Sequence, residues 1–354
     1  MTYRIQLTDA REARDHLLPI WRTNLAVVGP PDAKLRWFYS DGPHGPGRAF
    51  LIYPERERAA PIGAAGVGVR ALRFGDRSLR AALFADLAVE RAHRSGLPAI
   101  ALVRAVKHHV SESFDLGYGF PNAKAVAIYR RVGCRQLGEM QRFVRVLRVG
   151  RHLGRRVLHV PLAPLVARGA GAIADRALAA VTSIRARGIY RQFALAWLDE
   201  FDGRFDELWR ESRNLAPIAG ERTAALLAWR FGRQPGHHYR IAALIERSTE
   251  RLCAYAVVRD GPLAIELTDL FGVGLLEIDV LLRCLLPALY DTGAPSVSFR
   301  FLGTPRLVAL LRRHGFTRRP EALAVTLSFG ADLAAEPALI DPASWFLTDL
   351  DQDS

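Results

Sequence analysis

Residues 119 to 138 read GFPNAKAVAIYRRVGCRQLG, with an Asn before a helix-forming run, one Tyr inside it and a Gly at its end. Asn favours the helix N-cap and Gly the position just past a helix end, so the pattern predicts a helix over Ala123–Val132 that carries Tyr129. A phenol there is either half-buried filler or a proton donor to chemistry nearby, and the spacing alone allows both. Further upstream, FADLAVERAHRSGLPAI places Asp86 at the end of a strand-like run, Glu90 just after it, and Arg91, Arg94, Ser95 and Gly96 in a turn before a second helix. A turn that enters a helix offers unpaired N–H groups and the positive end of the helix dipole to an anion. Ser95 can cap, Gly96 lets the backbone approach closely, and the two arginines add charge. The same residues also make an ordinary capped helix, and an Asp at a strand end is often only a turn residue.

The elements that would position these groups alternate along the first 148 residues. A strand at Tyr3–Leu7 leads into a helix from Asp9 to about Asn24, and AFLIYP, PIGAAGVGVRAL and LRAALFADLAV read as strands between turn-rich joints. Leu97, Ile100, Ala101, Val103 and Val106 give the second helix, Gly96 to about Ser111, an apolar face. A short strand ending at Phe120, the Tyr129 helix and a long strand, CRQLGEMQRFVRVLRV, complete the series. Residues 149–188 break it: they are rich in Gly, Ala, Pro and Arg, hold one acidic residue, Asp175, and read as a connection with a helix near 170–185.

The second half then echoes the first. At a shift of 182 residues AVAIYRRVGC (125–134) meets LVALLRRHGF (307–316), and at 183 Asp86-Leu87 meets Asp269-Leu270. Two copies of one fold explain matches that keep order and nearly keep register. In the second copy Leu311 stands for Tyr129 and Thr304 for Asn122, and DLFGVGLLEID offers glycines but no arginine.

Composition sets outer bounds. The chain has 354 residues, long enough for two domains. Its formal charge of +13 invites a nucleic-acid reading, but only three of the 49 basic residues are lysines, and the arginines are scattered rather than grouped in a patch. Nucleic acid is therefore not expected as a partner. Three distant cysteines without C-x-x-C spacing fit a reducing compartment and no structural zinc. Charges run through the opening residues and no apolar run of about 20 residues exists, so the reading is cytoplasmic without a transmembrane segment, the basic connection leaving peripheral membrane contact open.

Taken together, ADLAVERAHRSGLPAIALVRAV and NAKAVAIYRRVGC resemble the GNAT superfamily of acyl-CoA-dependent N-acyltransferases. The likeness rests on D-L-x-V at 86–89, on the glycine turn opening a helix, and on Asn122, Ala125, Tyr129 and Gly133 in the family spacing. SWFLTDLDQD looks like the ending of bacterial tandem enzymes of this type. The resemblance covers most of the chain, most strongly at 83–134. It departs from the family at Cys134 (for Phe), His93 (for Arg) and Pro98 (for Gly), the last removing one N–H from the anion site.

The resemblance implies an α/β protein of two tandem GNAT-like domains, each a mixed twisted β-sheet flanked by helices. Residues 1–148 would bind acyl-CoA and catalyse, 189–331 would be a degenerate copy, and 332–354 an acidic tail. It implies transfer of an acyl group, acetyl by preference, from acyl-CoA to a primary amine of a small molecule, amino sugar or peptide, with no metal and no covalent enzyme intermediate. Tyr129 would be the general acid, and Asp86 or Glu90 would orient the amine or take its proton. Leu87, Ala88 and Val89 would meet the pantetheine arm and the oxyanion, while Arg91, Arg94, Ser95, Gly96, Leu97 and Asn122 would complete the cofactor site. The alternative is a ligand-binding module that keeps the fold without turnover.

Three further motifs carry less. GAAGVG (63–68) lies within a strand and is no dinucleotide fingerprint. His108-His109 and His237-His238 lack metal spacing. AWRFGRQPGHHYR (228–240) mixes aromatics with arginines, as a helix end or an anion site does.

Overall fold

The computed structural model describes residues 3–55, 60–148, 191–330, 333 and 336–353. The helix expected near 170–185 lies outside them. In the first half, strands β1 (Tyr3–Asp9), β2 (Arg48–Pro54), β3 (Gly63–Phe74) and β4 (Arg77–Val89) pair antiparallel in chain order, and β5 (Leu116–Gly119) adds parallel to β4. Alternation along β3 sorts the two faces. Ala65, Val67 and Val69 join a core with Val103 and Val106 of helix α3 (Leu97–Ser113), whereas Ala64 and Leu72 join Leu17, Leu18 and Trp21 of α1 (Arg14–Asn24). The first helix thus starts five residues later than its apolar pattern suggested, because β1 extends to Asp9.

The second half repeats the order. Strands β7 (Phe193–Leu198), β9 (Arg240–Glu246), β10 (Leu252–Asp260) and β11 (Ile265–Gly272) pair antiparallel, and β12 (Ser296–Gly303) runs parallel to β11. The helix of the Tyr129 segment, α4 (Ala123–Arg131), has its counterpart in a helix at Pro305–Arg313. Asn122 caps the first by accepting from the Lys124 and Ala125 amides, and Thr304 caps the second by accepting from Arg306. Each ends in a left-handed glycine, Gly133 at φ 80° and Gly315 at φ 78°, where a side chain would be strained.

Two separate sheets were the expectation; the strands instead form one connected network. The last strand of the first half, β6 (Arg135–Val146), lies against β12, and the last long strand of the second, β13 (Thr317–Phe329), lies against β5. The two exchanged strands also pair with each other. Short strands β8 (Ile218–Gly220) and β14 (Trp345–Leu347) then link β3 to β12, closing a circuit β3-β4-β5-β13-β6-β12-β14-β8. Period-2 patterning makes a strand amphipathic wherever it docks, so the sequence could not say which half each strand would join. Near the junction Trp37 and Trp229 stack at 4.8 Å, and each indole N–H donates to the other's backbone carbonyl at 2.8 Å.

The acidic C-terminal segment is not a loose tail. Trp345, Phe346 and Leu347 are fully buried, and Thr348 forms a capping box with Asp351. Because β5 and β12 each depend on a strand from the other half, residues 1–148 expressed alone are expected to aggregate. Co-expression of 1–148 with 149–354 should yield one complex that copurifies. A soluble 1–148 fragment with a cooperative thermal transition would contradict the exchange.

Candidate functional site

The pairing of β4 with β5 stops at Phe84↔Gly119, and β4 continues five residues further to Val89. Within that stretch β4 bulges. The register with β3 passes from Gly66↔Ala85 to Ala64↔Ala88, leaving Asp86 and Leu87 opposite Ala65. Asp86 takes φ 53°, a left-handed conformation uncommon outside Gly, Asn and Asp. The bulge turns its carboxylate to two donors: Lys34 Nζ at 2.5 Å and the Tyr39 hydroxyl at 2.7 Å. Strand β4 and strand β5 therefore part as a wedge whose apex is Phe84 and whose one wall carries Asp86.

The GAAGVG segment now has a purpose. A Cβ on Gly66 would fall 1.8 Å from the Tyr39 hydroxyl, and one on Gly68 2.6 Å from the Phe38 ring. The glycines let the turn of π-helix at Arg36–Ser40 press onto β3 and deliver Tyr39 to Asp86. Lys34 sits on a five-residue helix, α2 (Pro31–Leu35), beside the Trp21 ring. Burial alone would lower its ammonium, but Asp86 and Asp353 outweigh that and hold it above its usual range. Tyr39 is pushed well above the usual phenol range by burial and by Asp86.

Tyr129 approaches the parting of β4 and β5 from α4, on the face that packs against α3. It is 8% exposed and stacks on Phe84 at 5.6 Å, so it stands at the apex of the wedge. Its hydroxyl has no hydrogen-bond partner among the described residues. Burial pushes the phenol up, with the charges of Cys134 and Asp353 adding to it. The charge of Asp353, near the far end of the chain, thus bears on both Lys34 and Tyr129. Burial raises its carboxyl, Lys34 pulls it down and Asp86 raises it again, for a net rise.

The turn before α3 is arranged differently from the expectation. Gly96, at φ 89°, is the N-cap and no side chain caps the helix, so Ser95 does not; its amide donates to the His93 carbonyl instead. Gly96 tolerates this φ where Ser95 would not. Pro98 is buried in the first turn, leaving Leu97 and Ala99 as amides with no intrahelical acceptor. Arg94 is exposed, donates from Nε to the Val89 carbonyl at 3.0 Å and from Nη2 to Asn24 at 2.8 Å. Arg91 is exposed, Glu90 is half-buried, and Leu97 is 54% exposed. Leu87 is half-buried at the bulge, while Ala88 and Val89 are buried in the strand and pair with Ala64 and Gly63. Asn122 has its side-chain oxygen committed to the cap of α4.

The corresponding region of the second half is shut. Asp269 is fully buried, held by Arg222 through two bonds at 3.2 Å, by Tyr255 at 2.6 Å and by Thr348 at 2.7 Å. Leu311, in place of Tyr129, is fully buried. The helix at Leu275–Asp291 carries Glu277 in its first turn, a carboxylate where an anion would have to sit. His108 faces Glu112 on the α3 surface and His237 bonds Arg259, and no metal-holding group of His, Cys, Asp and Glu occurs among the described residues.

Sequence reasoning missed Lys34, Tyr39 and Asp353. One signal was present: a lysine in a chain with three, placed in PDAKLRWFYS, is where an arginine would have been the default. A compact ammonium on a flexible stem suits a single carboxylate oxygen better than a planar guanidinium does.

This architecture matches solved acyltransferase structures. The chain is similar to a conserved protein of unknown function from Enterococcus faecalis V583, a probable N-acyltransferase, with TM-score 0.62 at 11% identity over 92% of this chain and 72% of that one. It is similar to GCN5-related N-acetyltransferases from Kribbella flavida (TM-score 0.58, 17% identity, 92% and 71% covered) and Anabaena variabilis ATCC 29413 (TM-score 0.62, 13% identity, 92% and 72% covered). No protein-family model matches the sequence, and no curated protein matches it. At these identities the likeness is one of fold, and the fold is that of the GNAT acyltransferases. Among the described residues no helix is long and apolar enough to cross a membrane.

Proposed function

We propose that the protein transfers an acyl group, acetyl by preference, from acyl-CoA to a primary amine at the wedge between β4 and β5. Residues 1–148 are the working copy, 189–331 a degenerate one that completes the sheet, and the chain acts in the cytoplasm. The observation that carries this reading is Tyr129, a partnerless phenol set on Phe84 where the two strands part. The unpaired end of β4 suits a peptide-like pantetheine arm, as an added strand would. The free amides of Leu97 and Ala99 suit a pyrophosphate, with Arg91 beside them.

In this reading Tyr129 donates its proton to the departing sulfur. Its raised pKa keeps it protonated until that moment. The amine must lose a proton, and the candidate acceptors are Asp86, Glu90 and Asp353. Both Asp86 oxygens are already bonded, so Asp86 fixes Lys34 and Tyr39, while Asp353, with its carboxyl raised by burial, is the better acceptor. A binding module without turnover is the second reading. It is favoured by Arg94, whose bond to the Val89 carbonyl occupies the strand end a pantetheine arm would use, and by Pro98.

Titration calorimetry with acetyl-CoA separates the cases. Binding in the micromolar range, weakened by Arg91→Glu and unchanged in Tyr129→Phe, is expected. An acceptor screen that reads free thiol should then find turnover. No binding at millimolar acetyl-CoA would overturn the acyl-CoA reading.

A further inference from the structure

Strand β7 lies at one end of the connected sheet and, among the described residues, pairs with β9 alone. Gln192, just before it, accepts from the Arg247 amide at 2.8 Å, and the register runs unbroken from Phe193↔Glu246 to Leu198↔Ile241. Hydrogen-bonded and non-bonded positions alternate along an antiparallel pair, so Ala194, Ala196 and Leu198 turn their backbone groups to β9. Phe193, Leu195 and Trp197 turn theirs the other way, where no described residue bonds to them. The Trp197 side chain is 43% exposed.

A free sheet edge pairs with further strands unless something blunts it. The opposite end of the sheet is blunted, because β1 exposes Arg4 and Gln6. Strand β7 reads FALAWL, with no charge, no proline and no bulge against its neighbour. Its charges stand outside it instead. Arg191 precedes the strand and Asp199 and Glu200 follow it, all exposed and without an ion-pair partner among the described residues. A strand that is basic before, apolar throughout and acidic after is complementary to an antiparallel copy of itself. Outward-facing backbone must oppose outward-facing backbone, and a two-fold axis through Leu195 meets that condition. It sets Phe193 against Trp197 of the second copy and brings Arg191 beside Asp199 of the second copy.

We propose that β7 pairs antiparallel with β7 of a second copy of this chain, joining two molecules through one continuous sheet. The contact is the same surface on both copies, as a closed two-fold dimer requires. Both faces of the seam are apolar, and cross-strand aromatic pairs such as Phe193 with Trp197 stabilise neighbouring strands. A single strand makes a small interface, so the association is reversible and depends on concentration. The seam lies in the second half and makes no use of the acyl-transfer reading.

Sedimentation velocity from about 1 to about 200 μM is expected to show the mass doubling as concentration rises. Arg191→Glu sets acid against acid at both ends of the seam, and Asp199→Lys with Glu200→Lys sets base against base. Each variant alone should weaken association about 10-fold, since like charges opposite one another destabilise paired strands. Mixed in equal amounts, the two variants should form a heterodimer as readily as wild type pairs with itself. All three substituted residues are exposed, so the core that folds the chain is untouched. In the dimer the amides of Phe193, Leu195 and Trp197 should exchange with solvent more slowly than in the dilute monomer. A wild type that stays monomeric across the range would leave this edge to another occupant and overturn the proposal. A dimer that both charge variants keep, or that their mixture does not recover, would place the contact elsewhere and overturn it as well.

Discussion

Replacing Tyr129 by Phe is expected to lower kcat for acyl transfer by about 10²–10³-fold while leaving the affinity for acyl-CoA nearly unchanged. The change removes one oxygen from a ring stacked on Phe84 and leaves the stack intact. General acid catalysis by one side chain contributes about 10²–10⁴-fold, and a group that acts only on the departing sulfur touches the transition state more than the bound ground state. The pH profile adds a second readout. A general acid must be protonated to work, and burial raises the Tyr129 phenol above its usual range. The wild-type rate should therefore show no alkaline fall near pH 10, where an ordinary tyrosine would titrate. The acid limb should follow the carboxylate that takes the amine proton, and Asp353→Asn should depress kcat more than Glu90→Gln does. Unchanged turnover in Tyr129→Phe would remove this residue from the chemistry and move the search for a proton donor to Lys34.

Much of this site was legible because it is local. Asn122, Tyr129 and Gly133 lie on one helix and its two ends, where capping chemistry and spacing act over a few residues. The repeat was legible for the same reason: Gly133 and Gly315 both need a left-handed backbone, so both kept glycine beside a matching Arg-Arg pair. What escaped was everything that depends on where distant segments meet. Lys34 and Asp86 are 52 positions apart, and nothing in PDAKL announces a carboxylate partner. Asp353 enters the region of Asp86 only because Trp345–Leu347 pairs with β12 and carries the chain end across the circuit. Ser95 looked like a cap because its hydroxyl is the right chemistry, yet the cap position needed φ 89°, which a glycine accepts more readily than a serine. The exchange of β6 and β13 was beyond reach, since both strands carry the same kind of alternation whichever partner they find.

Arg222→Met should be the most damaging single substitution for stability, costing about 3–5 kcal/mol, the loss found when one partner of a buried ion pair is removed. Arg222 is 1% exposed and faces two carboxylates, Asp269 at 3.2 Å and Asp351 at 3.3 Å. Burial would lower its guanidinium, but the two acids more than reverse that and hold it charged. It also donates to the Gly220 carbonyl at 2.7 Å, so it joins β8, β11 and the segment after β14 in one network. Methionine fills much of the volume but leaves two acids with fewer donors in a dry site. The melting temperature should fall by roughly 10 °C. Removing the stranded charges should restore stability: Arg222→Met combined with Asp269→Asn and Asp351→Asn is expected to melt well above the single variant, because no buried charge is then left unpaired. A triple variant no more stable than Arg222→Met would mean that the network matters for its shape rather than its charge balance. The comparison also bears on turnover, since the same residues anchor the segment that carries Asp353. The triple variant can recover its melting temperature and still be slow if that segment shifts once its bonds to Arg222 are gone, which would place the second half in the reaction as the scaffold that positions a carboxylate for the first.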